Sequence, residues 1–467
     1  MKTTIGDIVN KNLNIDCLNN EVFKQIADSE IKFISKETKE CLKKYYKGGS
    51  LQDSKEVWKS LLMDSICILK VNDSREKLFK DSEQDLDAFF ANYDSIRKEN
   101  TYGINELARY FDDFIEFETV LYGTDEHYRD HVEHVLQVWA IGISLIEHHT
   151  FSLNDRYNLI YEQDFNFQLD SESERTRSVT KSEFWSMWTM ISLCHDLGYP
   201  IEKTSKINKQ AKKIIAHFGN MNFSELNYSF DIFNTFLVDK YLNIISSKSS
   251  FSSKTTILQT KYRDKISKSL EDYRHGVFSG LLLFKNLTFF LETDFSQEKS
   301  ELSEEDLRQF YIRKEILRSI AGHTCPKIYH LTLDNLAFLL ILCDELQEWN
   351  RPNFDDFRKR SINADPIVEL KSFEMSSTQK ISIQFTYELD ISKDDIKYLV
   401  TSKFKHIHNL LRSAKDDNDR KIIFSWSLIF KNEAYQLIFN SELNSFEQFL
   451  ITKKVNDSED PQIFKLY

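Results

Sequence analysis

Apolar positions recur at helical spacing through most of the chain before residue 350. Up to about residue 120, Val57, Leu61, Leu62 and Ile66 share one period, and Leu107, Tyr110, Phe111 and Phe114 share another. That spacing predicts amphipathic helices that serve as packing scaffold or as an oligomer contact. Residues 127–149 predict a strong helix whose apolar face is Val135, Val138, Trp139, Gly142, Leu145 and Ile146. The polar and acidic run 152–182 is expected to be a surface insertion. Residues 183–197 (EFWSMWTMISLCHDL) are apolar on nearly every side, as in a helix buried all round. Gly198, with Pro200 just beyond, predicts its end and leaves His195 and Asp196 in the last turn. The Lys/Ser-rich stretch 246–256 reads as a mobile loop, and helices are predicted over 270–291, 303–322 and 331–349.

After Pro352 the period changes from helical to alternating. Ile381, Ile383, Phe385 and Tyr387 alternate with polar residues, as do Ile422, Phe424, Trp426, Leu428 and Phe430. Ala434–Phe439 is expected to pair with the second run as a hairpin, and a helix is expected between the two runs, around 393–413. The whole predicts a mainly α fold in three parts. These are an N-terminal helical region over 1–120, a helical core over 121–352, and a small α+β region over 365–467. No internal repeat is visible.

Composition supports the helical reading. Only 11 glycines and 5 prolines occur in 467 residues, too few turn residues for many strand connections. With 36 Phe and 20 Tyr, aromatic burial is expected to supply much of the core. The formal charge of −12 argues against broad nucleic-acid or membrane-surface binding, which needs a net basic face. No apolar stretch reaches the roughly 18 residues of a membrane span, and the N-terminus lacks a signal-like apolar core. None of the six cysteines lies in a C-x-x-C pair, so reduced, buried thiols in a cytoplasmic protein are expected.

The chemistry lies in histidines and aspartates on the apolar helices. His131 and His134 are spaced i, i+3 and share a helix face. His195 and Asp196 end the buried segment, His275 opens another helix, and His323 ends a third. Asp344 sits in LAFLLILCDELQEW, where an ionised carboxylate is costly unless it is paired or binds a metal. Its alternative is an outward-facing position beside Glu345 and Glu348. Neutral imidazoles and ionised carboxylates converging from rigid elements are what a divalent metal requires.

The order H…HD…D on helices resembles the HD superfamily of metal-dependent phosphohydrolases. It is carried by His134 in HVLQV, His195-Asp196 in CHDLGYP, and Asp344, over roughly residues 125–350. The resemblance implies a helical fold, hydrolysis of phosphoesters or phosphoanhydrides, and one or two divalent ions (Mn, Mg, Fe or Co). It makes those four residues the metal ligands. His275 and His323 then bind a second metal, or contact phosphate and donate a proton, and His131 takes either role. Arg129, Lys203 and Arg274 lie near these ligands in sequence and are candidates to neutralise phosphate, with solvated surface charge as their alternative.

Within the superfamily, size and a helical body with a C-terminal addition look most like the deoxynucleoside triphosphate triphosphohydrolases. That similarity implies a nucleotide substrate, a possible regulatory nucleotide, a homo-oligomer, and nucleotide depletion in antiviral defence as one setting. The chain departs from them after the HD pair, where LGYPIEKTSKIN replaces their histidine-rich segment with its Pro-Phe-Gly core. Two other readings stay open: a phosphodiesterase for a cyclic or oligomeric nucleotide, and a non-catalytic nucleotide-sensing module. Gly198-Tyr199-Pro200 spells the tripeptide of the HD-GYP phosphodiesterases. There it lies well downstream of HD, so here it is read as a helix stop.

Overall fold

A computed structural model of the chain describes residues 13–29, 34–71, 103–121, 131–147, 179, 181–218, 232–250, 255–291, 304–325 and 336–348, together with short strands between 331 and 465. The described core is mainly α-helical. In chain order the helices are α1 (Ile15–Asp28), α2 (Lys36–Tyr46), α3 (Leu51–Val71), α4 (Ile104–Leu121), α5 (His131–Glu147) and α6 (Lys181–Cys194). After them come α7 (Tyr199–Ile215), α8 (Ile232–Ile245), α9 (Thr260–Glu271), α10 (His275–Asn286), α11 (Thr288–Leu291), α12 (Glu304–Gly322) and α13 (Leu336–Glu348).

The central element is α6, whose composition leaves no face for water. Trp185, Met187, Trp188, Met190, Ile191 and Leu193 are all buried. It packs on α3, α5 and α12, while α13 lies against both α5 and α12. Buried indoles need a partner for their N–H. Trp58 Nε1 donates to the Leu193 carbonyl at 2.9 Å, Trp139 Nε1 to Thr189 Oγ1 at 2.9 Å, and Trp188 Nε1 to the Trp139 carbonyl at 3.1 Å. These three bonds tie α3, α5 and α6 into one register. Gly142 lets α5 and α6 approach closely, because a Cβ there would lie 2.0 Å from the Trp188 ring.

The N-terminal periodicities are confirmed as α3 and α4, with Val57, Leu61, Leu62, Ile66, Leu107, Phe111 and Phe114 buried. Three local readings are corrected. First, Gly198-Tyr199-Pro200 does not merely stop a helix. The helix ends at Cys194, His195 to Gly198 form a turn, and Pro200 opens α7 from its first turn. Proline suits that position because the N–H it lacks has no intrahelical partner there. Second, the region read as a loop carries strands Ser247–Ser250 (β2) and Thr255–Leu258 (β3), paired antiparallel. Third, the segment read as one helix over 270–291 is three: the end of α9, then α10 and α11.

Alternation after Pro352 does mark strands: β5 (Ile367–Glu374), β6 (Lys380–Tyr387), β8 (Ile423–Phe430) and β9 (Ala434–Ile438), with β10 (Gln448–Lys454) and β11 (Gln462–Lys465) beyond. Two short strands, β4 (Leu331–Thr332) and β7 (Ala414–Lys415), pair parallel. β8 and β9 lie against each other as the expected hairpin requires, but each takes its ladder from another strand. β8 runs parallel to β6, and β9 pairs antiparallel with β10. β5 joins β6 on its other edge and, through β1 (Leu13–Asn14), the start of the chain. The helix expected around 393–413 and the insertion over 152–182 lie outside the described residues, except for Val179 and the start of α6.

One buried polar cluster locks α2 to α3. Asp64 on α3 accepts from the Ser35 backbone N–H at 2.8 Å and from Thr38 Oγ1 at 2.6 Å. Burial pushes its carboxyl up to about 6, against the opposing effect of those bonds. The folded state therefore holds the proton more tightly than an unfolded Asp near 3.9, and this contribution to stability is lost as pH rises from about 4 to about 6. Asp64→Asn keeps an acceptor for Ser35 but cannot ionise. It is expected to gain about 2 kcal/mol on wild type between pH 4.5 and 7.5, read from urea midpoints. An unchanged difference between the two proteins across that range would refute the assignment.

Candidate metal centre

Three elements deliver four side chains to one point: His134 from α5, His195 and Asp196 from the turn after α6, and Asp344 from α13. His134 Nε2 lies 3.0 Å from Asp344 Oδ1 and 3.4 Å from Asp196 Oδ2. His195 Nε2 lies 3.3 Å from Asp196 Oδ2 and 3.8 Å from Asp344 Oδ1. Ligand atoms each about 2.1 Å from one ion, at right angles, are about 3 Å apart, so this spacing suits a shared cation. His134, His195 and Asp196 are buried. The Asp344 side chain is 23% exposed and faces His134 and His195 rather than pointing outwards.

A second group adjoins the first. His275, the first residue of α10, and His323, just past α12, turn towards the other oxygen of Asp196. His275 Nε2 is 3.1 Å and His323 Nε2 is 3.8 Å from Asp196 Oδ1, and the two Nε2 atoms are 3.2 Å apart. Asp196, His275 and His323 form a group able to hold an ion, as do His134, His195 and Asp196. Asp196 therefore gives one oxygen to each position. The His275 side chain is 19% exposed, so with Asp344 it is the most solvent-accessible of the six.

The far nitrogen of each imidazole is anchored. His195 Nδ1 meets the Ser192 carbonyl at 2.8 Å and His323 Nδ1 the Ile320 carbonyl at 2.6 Å. A carbonyl only accepts, so Nδ1 carries the proton, and the neutral ring turns the Nε2 lone pair into the centre. His275 Nδ1 is held by Glu202 Oε2 at 2.7 Å. His134 Nδ1 is held by Gln347 Oε1, whose amide nitrogen in turn donates to Gln137. His195 Nε2 is wholly buried and has no hydrogen-bond partner, which is the orphaned atom a cation would satisfy.

The electrostatics agree with the geometry. Burial acts to raise the Asp196 carboxyl, but His195, His275 and His323 outweigh it and hold it well below the usual range. Asp344 is likewise held low by His134 and His195 against its burial. Burial disfavours charge on His195 and His275, yet the carboxylates prevail and lift them to about 10 and about 9. His323 is lowered by burial, with its positive neighbours His275 and His195 adding to the effect. A centre that draws protons onto buried imidazoles is one in which a divalent ion can replace those protons. The donor set fits one or two such ions, and its nitrogen and carboxylate ligands alone do not select the metal.

The remaining sequence candidates lie around this centre. His131 is buried, holds Glu118 through Nδ1, and packs on Tyr199 with ring centroids 4.0 Å apart. Its ring is 6.3 Å from that of His134, beside the ligand cluster and outside it. Lys203 lies over the Tyr199 ring at 4.9 Å. Arg274 caps α10 next to His275, and its buried Nε has no hydrogen-bond partner. Arg129 lies outside the described residues. The sequence reading missed the anchors Glu118, Glu202 and Gln347, each of which looks like an ordinary polar helix residue in the chain.

Comparisons with protein-family models, curated proteins and solved structures find nothing that matches this chain. Among the described residues no helix is long and apolar enough to cross a membrane.

Proposed function

We propose that this chain is a metal-dependent phosphohydrolase of the HD type that acts on a nucleotide. The first expectation is a deoxynucleoside triphosphate, hydrolysed to deoxynucleoside and intact triphosphate. The observation that carries the reading is the convergence of His134, His195, Asp196, His275, His323 and Asp344 on two adjoining positions that share Asp196. A bound divalent ion supplies Lewis acidity towards a phosphoryl oxygen and a lowered pKa for water. In the reaction an oxygen of water bonds to phosphorus, the bond from phosphorus to the sugar oxygen breaks, and a proton passes to that leaving oxygen.

The chain's own groups divide the remaining work. Anchored imidazoles keep their Nε2 lone pairs fixed, so little reorganisation is needed at the moment of reaction. Asp344 and His275, the most solvent-accessible of the six, are the proposed border of the path by which the phosphate enters. His131, oriented by Glu118, is the proposed proton donor to the leaving oxygen. Lys203 and Arg274 are the proposed partners of the phosphate charge.

Two adjoining positions favour a second reading, hydrolysis of a cyclic or oligomeric nucleotide, because two cations held by His134, His195, Asp196 and Asp344 and by Asp196, His275 and His323 would supply charge stabilisation for a diester. One assay separates the two. Purified protein with Mn²⁺ or Mg²⁺ is offered deoxynucleoside triphosphates, ribonucleoside triphosphates, and cyclic and linear oligonucleotides. Release of intact triphosphate selects the first reading, and diester cleavage selects the second. No turnover of any substrate by protein shown to hold cations would reject both and leave a sensing role.

A further inference from the structure

We propose that Glu202, on α7, is the positioning residue that builds the second cation position by fixing His275. This inference rests on the two-position reading of the centre. Glu202 is buried in the first turn of a helix that is otherwise largely lysine-bearing and exposed. Its Oε2 accepts twice from one residue, from His275 Nδ1 at 2.7 Å and from the His275 backbone N–H at 3.1 Å. Its other oxygen, Oε1, takes the ammonium of Lys206 at 2.6 Å.

The backbone bond has a local cause. His275 is the first residue of α10, where N–H groups have no partner within the helix. The residue at the N-cap is Arg274, which makes no side-chain capping bond. Glu202 supplies the missing acceptor from another helix, so one carboxylate sets both where α10 begins and how the first imidazole turns. With Nδ1 engaged, Nε2 is left to face Asp196 Oδ1 at 3.1 Å and His323 Nε2 at 3.2 Å.

The first position is built differently. His134 is held by Gln347 and His195 by a backbone carbonyl, and neither anchor involves α7. At His275 the partner of Nδ1 is a carboxylate, where His134, His195 and His323 have an amide or backbone carbonyl oxygen. A carboxylate behind a ligating histidine raises the basicity of the ring and locks its tautomer, and losing such a partner weakens metal binding about 10–100-fold. The two positions should therefore separate when Glu202 is changed.

The test is Mn²⁺ binding to the full-length protein by equilibrium dialysis, with electron paramagnetic resonance to detect paired ions. Wild type is expected to take up two Mn²⁺ per chain. Glu202→Gln keeps an acceptor for both His275 bonds and is expected to preserve the melting temperature. It should weaken the second ion about 10-fold and leave the first unchanged. Glu202→Ala should weaken the second ion about 100-fold and remove the paired-ion signal. Wild-type affinity for both ions in Glu202→Ala, or equal loss of both in the stable Gln variant, would overturn the role of Glu202. A wild-type protein that binds only one Mn²⁺ would overturn the second position itself, and this inference with it.

Discussion

Replacing Asp196 by alanine is expected to abolish binding at both cation positions and, on the proposed function, to lower nucleotide hydrolysis by roughly 10³-fold or more. The reason is the division of its two oxygens. Oδ2 faces His134 and His195 at 3.4 and 3.3 Å, and Oδ1 faces His275 and His323 at 3.1 and 3.8 Å. Removing any other ligand takes one donor from one position. Removing Asp196 takes a negative donor from both and leaves four histidines in contact with an uncharged side chain. Asp344→Ala is the informative comparison, since the imidazoles nearest to Asp344 are those of His134 and His195, at 3.0 and 3.8 Å. It should empty the first position and spare the second. Metal content per chain, measured beside the hydrolysis rate, decides the matter. An Asp196→Ala protein that still carries two ions would exclude the bridging role. One that turns over substrate at the wild-type rate would exclude catalysis at this centre.

The clustering of His195, Asp196 and Asp344 could be expected from the chain because these residues stand where apolar sequence makes them conspicuous. Asp344 lies amid Leu339 to Cys343, and His195-Asp196 closes a segment with almost no polar face. A carboxylate in such a place needs a partner, and the partners turned out to be histidines on other helices. The supports could not be read in this way. Glu202 lies in PIEKTSK and Gln347 in DELQE, and in those settings a polar side chain is the ordinary choice. Only packing turns Glu202 onto His275 and Gln347 onto His134.

The misread elements have the same origin, local signals that admit two structures. Gly-Tyr-Pro ends one helix and begins another, because the fixed φ of proline is as useful at a start as beyond a stop. Ser- and Lys-rich sequence lacks the side chains that favour strands, yet the backbone of 247–250 pairs with 255–258. Alternation at 423–430 announces a strand without naming its ladder partner, and that partner is β6, far back in the chain. Period describes an element's faces, whereas pairing is decided by the whole chain.

Gly198→Ala tests how tightly the centre depends on backbone packing. The φ of Gly198 is −81°, which any residue can adopt, so the need for glycine there is one of space. A Cβ would stand 2.2 Å from the His275 carbonyl oxygen and 2.8 Å from both Phe278 Cβ and the Ser279 backbone nitrogen. Two of these atoms belong to the α10 backbone and cannot rotate away. The Gly198 N–H also donates to Ser279 Oγ at 2.7 Å, fastening the His-Asp turn to the same helix. Relieving the overlap requires α10 to withdraw by roughly 1 Å, to an ordinary carbon–oxygen contact. His275 would withdraw with it, from Asp196 and from Glu202. The variant should lose about 1–3 kcal/mol of stability through overpacking. It should also bind the second Mn²⁺ more weakly while keeping the first, because His134, His195 and Asp344 stand on other elements. Thermal melting and Mn²⁺ titration together check this. Wild-type stability with both ions bound at wild-type affinity would show that the turn and α10 can separate without cost, and that the second position does not depend on their contact.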